Sequence, residues 1–178
     1  MQAPDAASVL WLTGLSGAGK TTLARALEQA LREMNLHVYV LDGDIIRCGL
    51  SADLGFSAAD RSENIRRIGE AAKLLSQAGV IAIVAAISPL TTDRAIARRT
   101  IGNENFMEIY CNAPLEVCEQ RDVKGLYKRA RTGELADFTG VSSPYQAPEM
   151  SDVVCDTGLE SVEVCVKKIL THLSQKRM

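Results

Sequence analysis

Gly14-Leu-Ser-Gly-Ala-Gly-Lys20-Thr21 has the spacing G-x-x-x-x-G-K-S/T, directly after an apolar run and directly before a helical pattern. Glycines let successive backbone N–H groups curl around an anion, and the following helix adds its positive N-terminal end. Gly14, Ser16, Gly17, Ala18, Gly19, Lys20, Thr21 and Thr22 therefore form a candidate triphosphate cradle. Lys20 is placed to reach the β and γ phosphates and Thr21 to offer its hydroxyl to Mg²⁺, so the expected ligand is ATP with Mg²⁺. A second apolar run ends in Leu41-Asp42-Gly43-Asp44. In a parallel α/β sheet this places two carboxylates at the edge where ligands bind. Asp42 is the candidate base for a hydroxyl acceptor and a candidate Mg²⁺ ligand with Thr21. Asp and Gly also favour plain turns, so the tripeptide alone leaves both readings open.

Further cationic groups follow. Arg47, Arg61, Arg66 and Arg67 lie within one short stretch with Asn64 and Phe56, and Lys124, Lys128, Arg129 and Arg131 form a second group. Arginine forks suit bound anions, although a solvated helix face also carries arginines. Arg66 and Arg67 sit about 100° apart on a helix, so the two cannot face one ligand equally.

The elements that must position these groups follow a βαβ rhythm over 178 residues, the expected size of one unit. Strands are expected at Val9 to Thr13, His37 to Leu41, Val80 to Ala86, Phe106 to Cys111 and Val153 to Cys155. Helices are expected over Lys20 to Met34, Asp60 to Ala78, Thr91 to Thr100 and Ser161 to Ser174. Asp60 with Glu63 reads as a capping box, and Gly79 as a helix stop. The expected fold is three-layer α/β of the P-loop nucleoside-triphosphate hydrolase type, a parallel sheet flanked by helices on both faces. From about 121 to 150 apolar periodicity gives way to Lys, Arg, Gly and Pro, the composition of a mobile lid or of a plain surface loop.

Composition narrows the function. Hydrophobic residues make up 47%, and 20 Lys and Arg nearly balance 22 Asp and Glu, which argues against disorder and against a non-specific nucleic-acid binder. The longest apolar run, Val80 to Ile87, is far below the ~20 residues of a membrane span. With no secretory pattern at the start, a cytoplasmic protein is expected. Five cysteines without a C-x-x-C pair read mostly as small core residues. No Asn-Lys-x-Asp guanine-reading segment occurs, as a GTPase would need, and a large ATPase would need more chain than 178 residues, which leaves a small-molecule kinase.

Beyond these features, Leu54-Gly-Phe56-Ser57, Asp60-Arg61-Ser-Glu-Asn64-Ile-Arg66-Arg67-Ile68-Gly69, Ile87-Ser88-Pro89, Asp93-Arg94, Lys124-Gly-Leu-Tyr127 and Phe138-Thr139-Gly140 occur in order. Together with the phosphate loop and Asp42-Gly-Asp44, they make the chain resemble the adenylylsulfate kinase (APS kinase) family from Val9 to Pro148. The resemblance implies transfer of the ATP γ-phosphate to the 3′-hydroxyl of adenosine 5′-phosphosulfate. It implies a catalytic set of Asp42, Lys20 and Ser88, with Arg131 on the ATP side. Asp44, Arg47, Arg61, Asn64, Ile87, Ser88, Lys124 and Thr139 would meet the acceptor nucleotide, and Phe56 and Phe138 would sandwich its adenine. Family descriptions cast Ser88 as a phosphorylated intermediate; a serine relay needs its own base, so direct attack by the 3′-hydroxyl is the expected route. A homodimer and coupling to ATP sulfurylase are also implied. The chain departs from the common family pattern at Ile45, Cys48 and Leu90, where Asn, His and Tyr are usual. Ile45 and Leu90 motivate a kinase of a different modified nucleotide as one alternative. A non-catalytic nucleotide-binding partner of ATP sulfurylase is another, which the presence of Lys20, Thr21 and Asp42 argues against.

Overall fold

The computed structural model describes residues 8–175. Five short apolar segments form a parallel sheet in the order β2-β3-β1-β4-β5. They are β1 (Val9–Thr13), β2 (Val38–Asp42), β3 (Ile81–Ala85), β4 (Phe106–Cys111) and β5 (Val153–Cys155). β1 runs at the centre, with every residue buried. Its side chains alternate between two cores, as the two-residue period of a strand requires. Leu10 and Leu12 pack with Leu23, Leu27 and Ile169, whereas Val9 and Trp11 pack with Ile65, Ile68 and Phe106. Each fully buried side chain of this size stabilises the fold by about 1.5–3 kcal/mol relative to exposure, which explains why the central strand carries no polar residue before Thr13.

The helices cover both faces. α1 (Lys20–Glu33) and α7 (Val162–Gln175) pack on one core. α1 turns Leu23, Leu27 and Leu31 inward, and α7 turns Cys165, Ile169 and Leu173 inward, both at four-residue spacing. α3 (Ala58–Gln77) and α4 (Thr91–Ile101) pack on the other core through Ile65, Ile68, Ala72, Ala97 and Ile101. Three shorter helices complete the order: α2 (Gly43–Cys48), α5 (Leu115–Arg121) and α6 (Leu126–Arg131).

The expected strands stand within one residue at each end. The start of α3 requires a correction. Its N-cap is Ser57, whose hydroxyl accepts the Asp60 N–H at 3.1 Å and donates to the Asp60 carboxylate at 2.7 Å. Glu63, expected as the reciprocal cap, instead accepts from Arg66 and Arg67. The Gly79 stop is a Schellman motif: at φ +76° its N–H donates to Ser76 O while that of Val80 reaches Leu75 O. The stretch from 121 to 150 is more ordered than its composition suggested, since α6 buries Tyr127 and Ala130 and a bridge joins Thr139 to Ser143. Cys111, Cys118, Cys155 and Cys165 are buried free thiols, and only Cys48 among the five is exposed. No helix of the described residues is long and apolar enough to cross a membrane.

Candidate active site

The carboxyl ends of β1, β2 and β3 meet at one edge, where open parallel sheets expose helix N-termini and strand-end loops. The phosphate loop leaves β1 there. Gly14 is required by close approach, because a Cβ would lie 2.6 Å from the Cys111 carbonyl oxygen. Gly17, at φ +77°, combines the left-handed conformation with a Cβ position 2.9 Å from the Cys118 carbonyl oxygen. Gly19 caps α1 in the left-handed conformation. Lys20 then folds back into its own loop, donating to Gly14 O at 2.9 Å and Leu15 O at 2.6 Å. Burial pulls its ammonium down to about 8, against the weaker opposing pull of the Cys111, Cys118, Asp44 and Asp42 charges.

Asp42 closes β2 and is 6% exposed. One oxygen accepts the Thr21 hydroxyl at 2.8 Å and the other accepts the Asp44 N–H at 2.9 Å, so Asp42 is also the N-cap of α2. The first turn of α1 and the end of β2 are thereby joined through two oxygen-bearing side chains. Hydroxyl and carboxylate oxygens suit a hard divalent cation. No group of three or more His, Cys, Asp or Glu side chains able to hold a metal occurs among the described residues. Thr21 and Asp42 are thus two adjacent oxygen-bearing side chains that could contribute to holding such a cation.

The expected acceptor residues gather around this edge on four elements. Asp44 and Arg47 ride on α2, and Asp44 pairs with Lys124 of the segment between α5 and α6. Arg47 lies 4.5 Å over the Phe56 ring and donates to Gly55 O at 2.8 Å; burial lowers its pKa. Phe56 is 60% exposed. On α3, Arg61 reaches the 121–150 segment, donating to Thr139 Oγ1 at 2.9 Å and to the Asp137 carbonyl. Asn64, one turn on, is buried, and its Oδ1 has no hydrogen-bond partner among the described residues. Phe138 is buried, its ring meeting Tyr127 edge-on at 5.0 Å.

After β3, Ile87 and Ser88 turn across the same edge. Ser88 adopts φ +41°, and its hydroxyl is buried, accepting from Trp11 Nε1 at 3.1 Å. Three expected cations are engaged elsewhere. Arg131 pairs with Glu119 at 2.7 Å, Arg66 with Glu63 at 2.7 Å, and Arg67 with both Glu63 and Asp53. The Glu63 carboxyl is held down at about 2 by its Arg66 and Arg67 hydrogen bonds.

Three residues at this edge carry no role in the sequence reading. Arg121, at the end of α5, donates to Gly17 O at 3.2 Å and to Thr157 O at 2.7 Å, strapping the phosphate loop to the loop after β5. Thr157 was findable, because it lies two residues beyond a strand end at the ligand-binding edge. Tyr127 was quoted within a motif without a role; its hydroxyl donates to Ser16 O at 2.9 Å and so ties α6 to the phosphate loop.

Comparison with known proteins agrees with this geometry. The sequence profile of a family described as adenylylsulphate kinase matches residues 6–156. An adenylyl-sulfate kinase of Acaryochloris marina is 56% identical over 95% of this chain and 82% of its own length. One from Pseudomonas aeruginosa is 51% identical over 93% of this chain and 85% of its own. Among solved structures, the Mycobacterium tuberculosis APS kinase in complex with AMPPNP and APS superposes with a TM-score of 0.90 at 44% identity, covering 95% of this chain and 98% of that one. A hexameric APS kinase from Thiobacillus denitrificans gives a TM-score of 0.69 at 34% identity, covering 95% of this chain and 29% of that one. With the phosphate loop, the Asp42 carboxylate and the acceptor motifs set on one sheet edge of a P-loop fold, the chain belongs to the adenylyl-sulfate kinase family of ATP-dependent kinases.

Proposed function

We propose that the site transfers the γ-phosphate of ATP to the 3′-hydroxyl of adenosine 5′-phosphosulfate, giving ADP and 3′-phosphoadenosine 5′-phosphosulfate. The observation that carries this reading is the 2.8 Å hydrogen bond from Thr21 to Asp42, which sets a buried carboxylate against the triphosphate cradle. Backbone N–H groups of Gly14 and Ser16 to Thr22 hold the phosphates, and Lys20 exchanges its two loop carbonyls for phosphate oxygens. Thr21 and Asp42 would hold Mg²⁺, which would supply charge neutralisation to the triphosphate. Arg121 and Thr157 border the cradle on the nucleoside side. Arg131 joins them when it leaves Glu119.

On the acceptor side, Phe56 and Phe138 take the adenine between their faces, a contact that buries apolar area without needing edge readout. Asp44, Arg47, Arg61, Asn64, Lys124 and Thr139 orient the phosphosulfate and ribose, with the unpaired Asn64 Oδ1 receiving a donor from the ligand. Backbone groups of Ile87 and Ser88 line the pocket. The 3′-oxygen attacks the γ-phosphorus, the bond to the β-bridging oxygen breaks, and the hydroxyl proton passes to Asp42. Among the described residues the Ser88 hydroxyl hydrogen-bonds to Trp11 and the Ala86 carbonyl and to no basic side chain, which supports direct transfer over a serine relay. Closure of 121–150 over both nucleotides excludes water. The same reading carries a homodimer, coupling to ATP sulfurylase and a cytoplasmic setting.

A coupled ADP-release assay with Mg²⁺ and ATP, offering adenosine 5′-phosphosulfate beside AMP, other nucleotides and no acceptor, tests the proposal. ADP release dependent on adenosine 5′-phosphosulfate supports it. Release only with another nucleotide replaces the acceptor, an outcome that exposed Ile45 would make physically intelligible; ATP binding without turnover supports a binding partner instead.

A further inference from the structure

The bend at Ser88 needs an external hold, since a non-glycine residue in the left-handed region is strained on its own. Three groups grip this loop. Trp11 Nε1 donates to Ser88 Oγ, Arg94 Nη1 donates to Ser88 O at 2.8 Å, and Thr13 Oγ1 donates to Ile87 O at 2.8 Å. Two of the three are themselves tied to a distant dipeptide. The Tyr145 hydroxyl lies 3.0 Å from Thr13 Oγ1, and Arg94 Nη2 donates to Gln146 O at 2.8 Å. Gln146 adds two direct bonds: its N–H donates to Pro89 O at 2.8 Å, and its side-chain Oε1 accepts the Thr91 N–H at 2.9 Å. That last contact caps α4, whose N-cap Leu90 supplies no side-chain cap of its own. Arg94 is buried and fixed from behind by Glu108 at 2.8 Å, so it transmits position instead of drifting.

Tyr145 and Gln146 directly follow the turn that carries Phe138 and Thr139. We propose that Tyr145 and Gln146 are positioning residues, clasping the return of the lid to the Ile87–Ser88 loop so that the acceptor pocket and the lid are set as one unit. The inference rests on the reading of Ile87 and Ser88 as acceptor-pocket residues, while the clasp itself is a mechanical claim that can be measured without substrate.

The test compares wild type, Gln146→Ala, Tyr145→Phe and Gln146→Glu. Gln146 is exposed, and Tyr145→Phe removes one oxygen, so these chains keep the fold. Gln146→Ala and Tyr145→Phe are each expected to speed amide hydrogen exchange at Ile87 and Ser88 roughly fivefold, the scale of one lost hydrogen bond. They are expected to raise KM for adenosine 5′-phosphosulfate by a similar factor, while KM for ATP and exchange in the phosphate loop stay at wild-type values. Gln146→Glu keeps an oxygen acceptor for Thr91 and is expected to restore both readouts. Unchanged exchange at Ile87 and Ser88, or equal rises in both KM values, overturns the clasp. If wild type does not turn over adenosine 5′-phosphosulfate, the functional reading falls and the exchange data alone decide the clasp.

Discussion

Replacing Asp42 by Asn separates what the carboxylate does for the fold from what it does for chemistry. The amide has the same shape and two polar ends. Its oxygen can accept the Asp44 N–H now held at 2.9 Å, and its NH₂ can donate to Thr21 Oγ1, whose hydroxyl rotates from donor to acceptor. Asn also equals Asp as an N-cap, so α2 keeps its start and unfolding stability should change by less than ~0.5 kcal/mol. What is lost is the ability to take a proton and one negative charge beside the metal position. General-base catalysis contributes about 10²–10⁴ in rate, equivalent to ~3–5 kcal/mol of barrier. The expected result is a fall of that size in kcat, with KM for both nucleotides within a few-fold and an unchanged melting temperature. Steady-state ADP release at saturating ATP and adenosine 5′-phosphosulfate, beside a thermal melt, provides the measurement. A variant whose kcat stays within about fivefold of wild type would refute the assignment of Asp42 as the base.

Other expectations follow from the same geometry. Phe56→Ala removes an exposed ring, so stability should hold within ~0.5 kcal/mol while acceptor binding, measured by calorimetry, weakens by about 1–3 kcal/mol. Phe138→Ala should weaken binding similarly and also cost about 3–5 kcal/mol of stability in a denaturant titration, because that ring is buried against Tyr127. Lys20, held at about 8, loses its proton above that pH in the free enzyme, whereas bound phosphate keeps it charged. ATP affinity should therefore be flat below pH 8 and weaken by up to about tenfold per unit above it; a Kd unchanged between pH 7 and 9.5 would contradict this role. Gly17→Ala places a side chain at φ +77° with its Cβ 2.9 Å from Cys118 O. It should introduce ~1–2 kcal/mol of strain and raise the Kd for ATP roughly tenfold, read by nucleotide titration.

How far these features were legible depends on the range of the forces involved. The strands read correctly because a parallel sheet buried on both faces demands uninterrupted apolar runs, and Val9 to Thr13 leaves no other placement. The phosphate loop read correctly because its chemistry is carried by consecutive backbone groups. α2, α5 and α6, at six or seven residues each, are shorter than two helical turns and leave too few positions for a period to show. The α3 cap was misplaced because Ser57 with Asp60 and Asp60 with Glu63 satisfy the same four-residue pattern. Only the competing claim of Arg66 and Arg67 on Glu63 separates the two. The cations expected at the acceptor side were chosen by residue type, yet the partners of Arg61 and Lys124 lie 78 and 80 residues away, respectively, in sequence. The Tyr145 contact with Thr13 spans 132 residues. Contacts of that span have no local signature, so the hydrogen bonds that join 145–146 to β1 and to the loop after β3 appear only in the folded chain.

The central claim is that phosphate moves from ATP to the 3′-oxygen of adenosine 5′-phosphosulfate at the edge shared by Lys20, Thr21 and Asp42. The most direct measurement is a single turnover with Mg²⁺ and ATP labelled at the γ-phosphate, followed by mass spectrometry and phosphorus NMR of the nucleotide product. Label is expected on the 3′-position of an intact phosphosulfate, absent without acceptor and lost in Asp42→Asn. Label in inorganic phosphate alone, or on another position or another nucleotide, would contradict it.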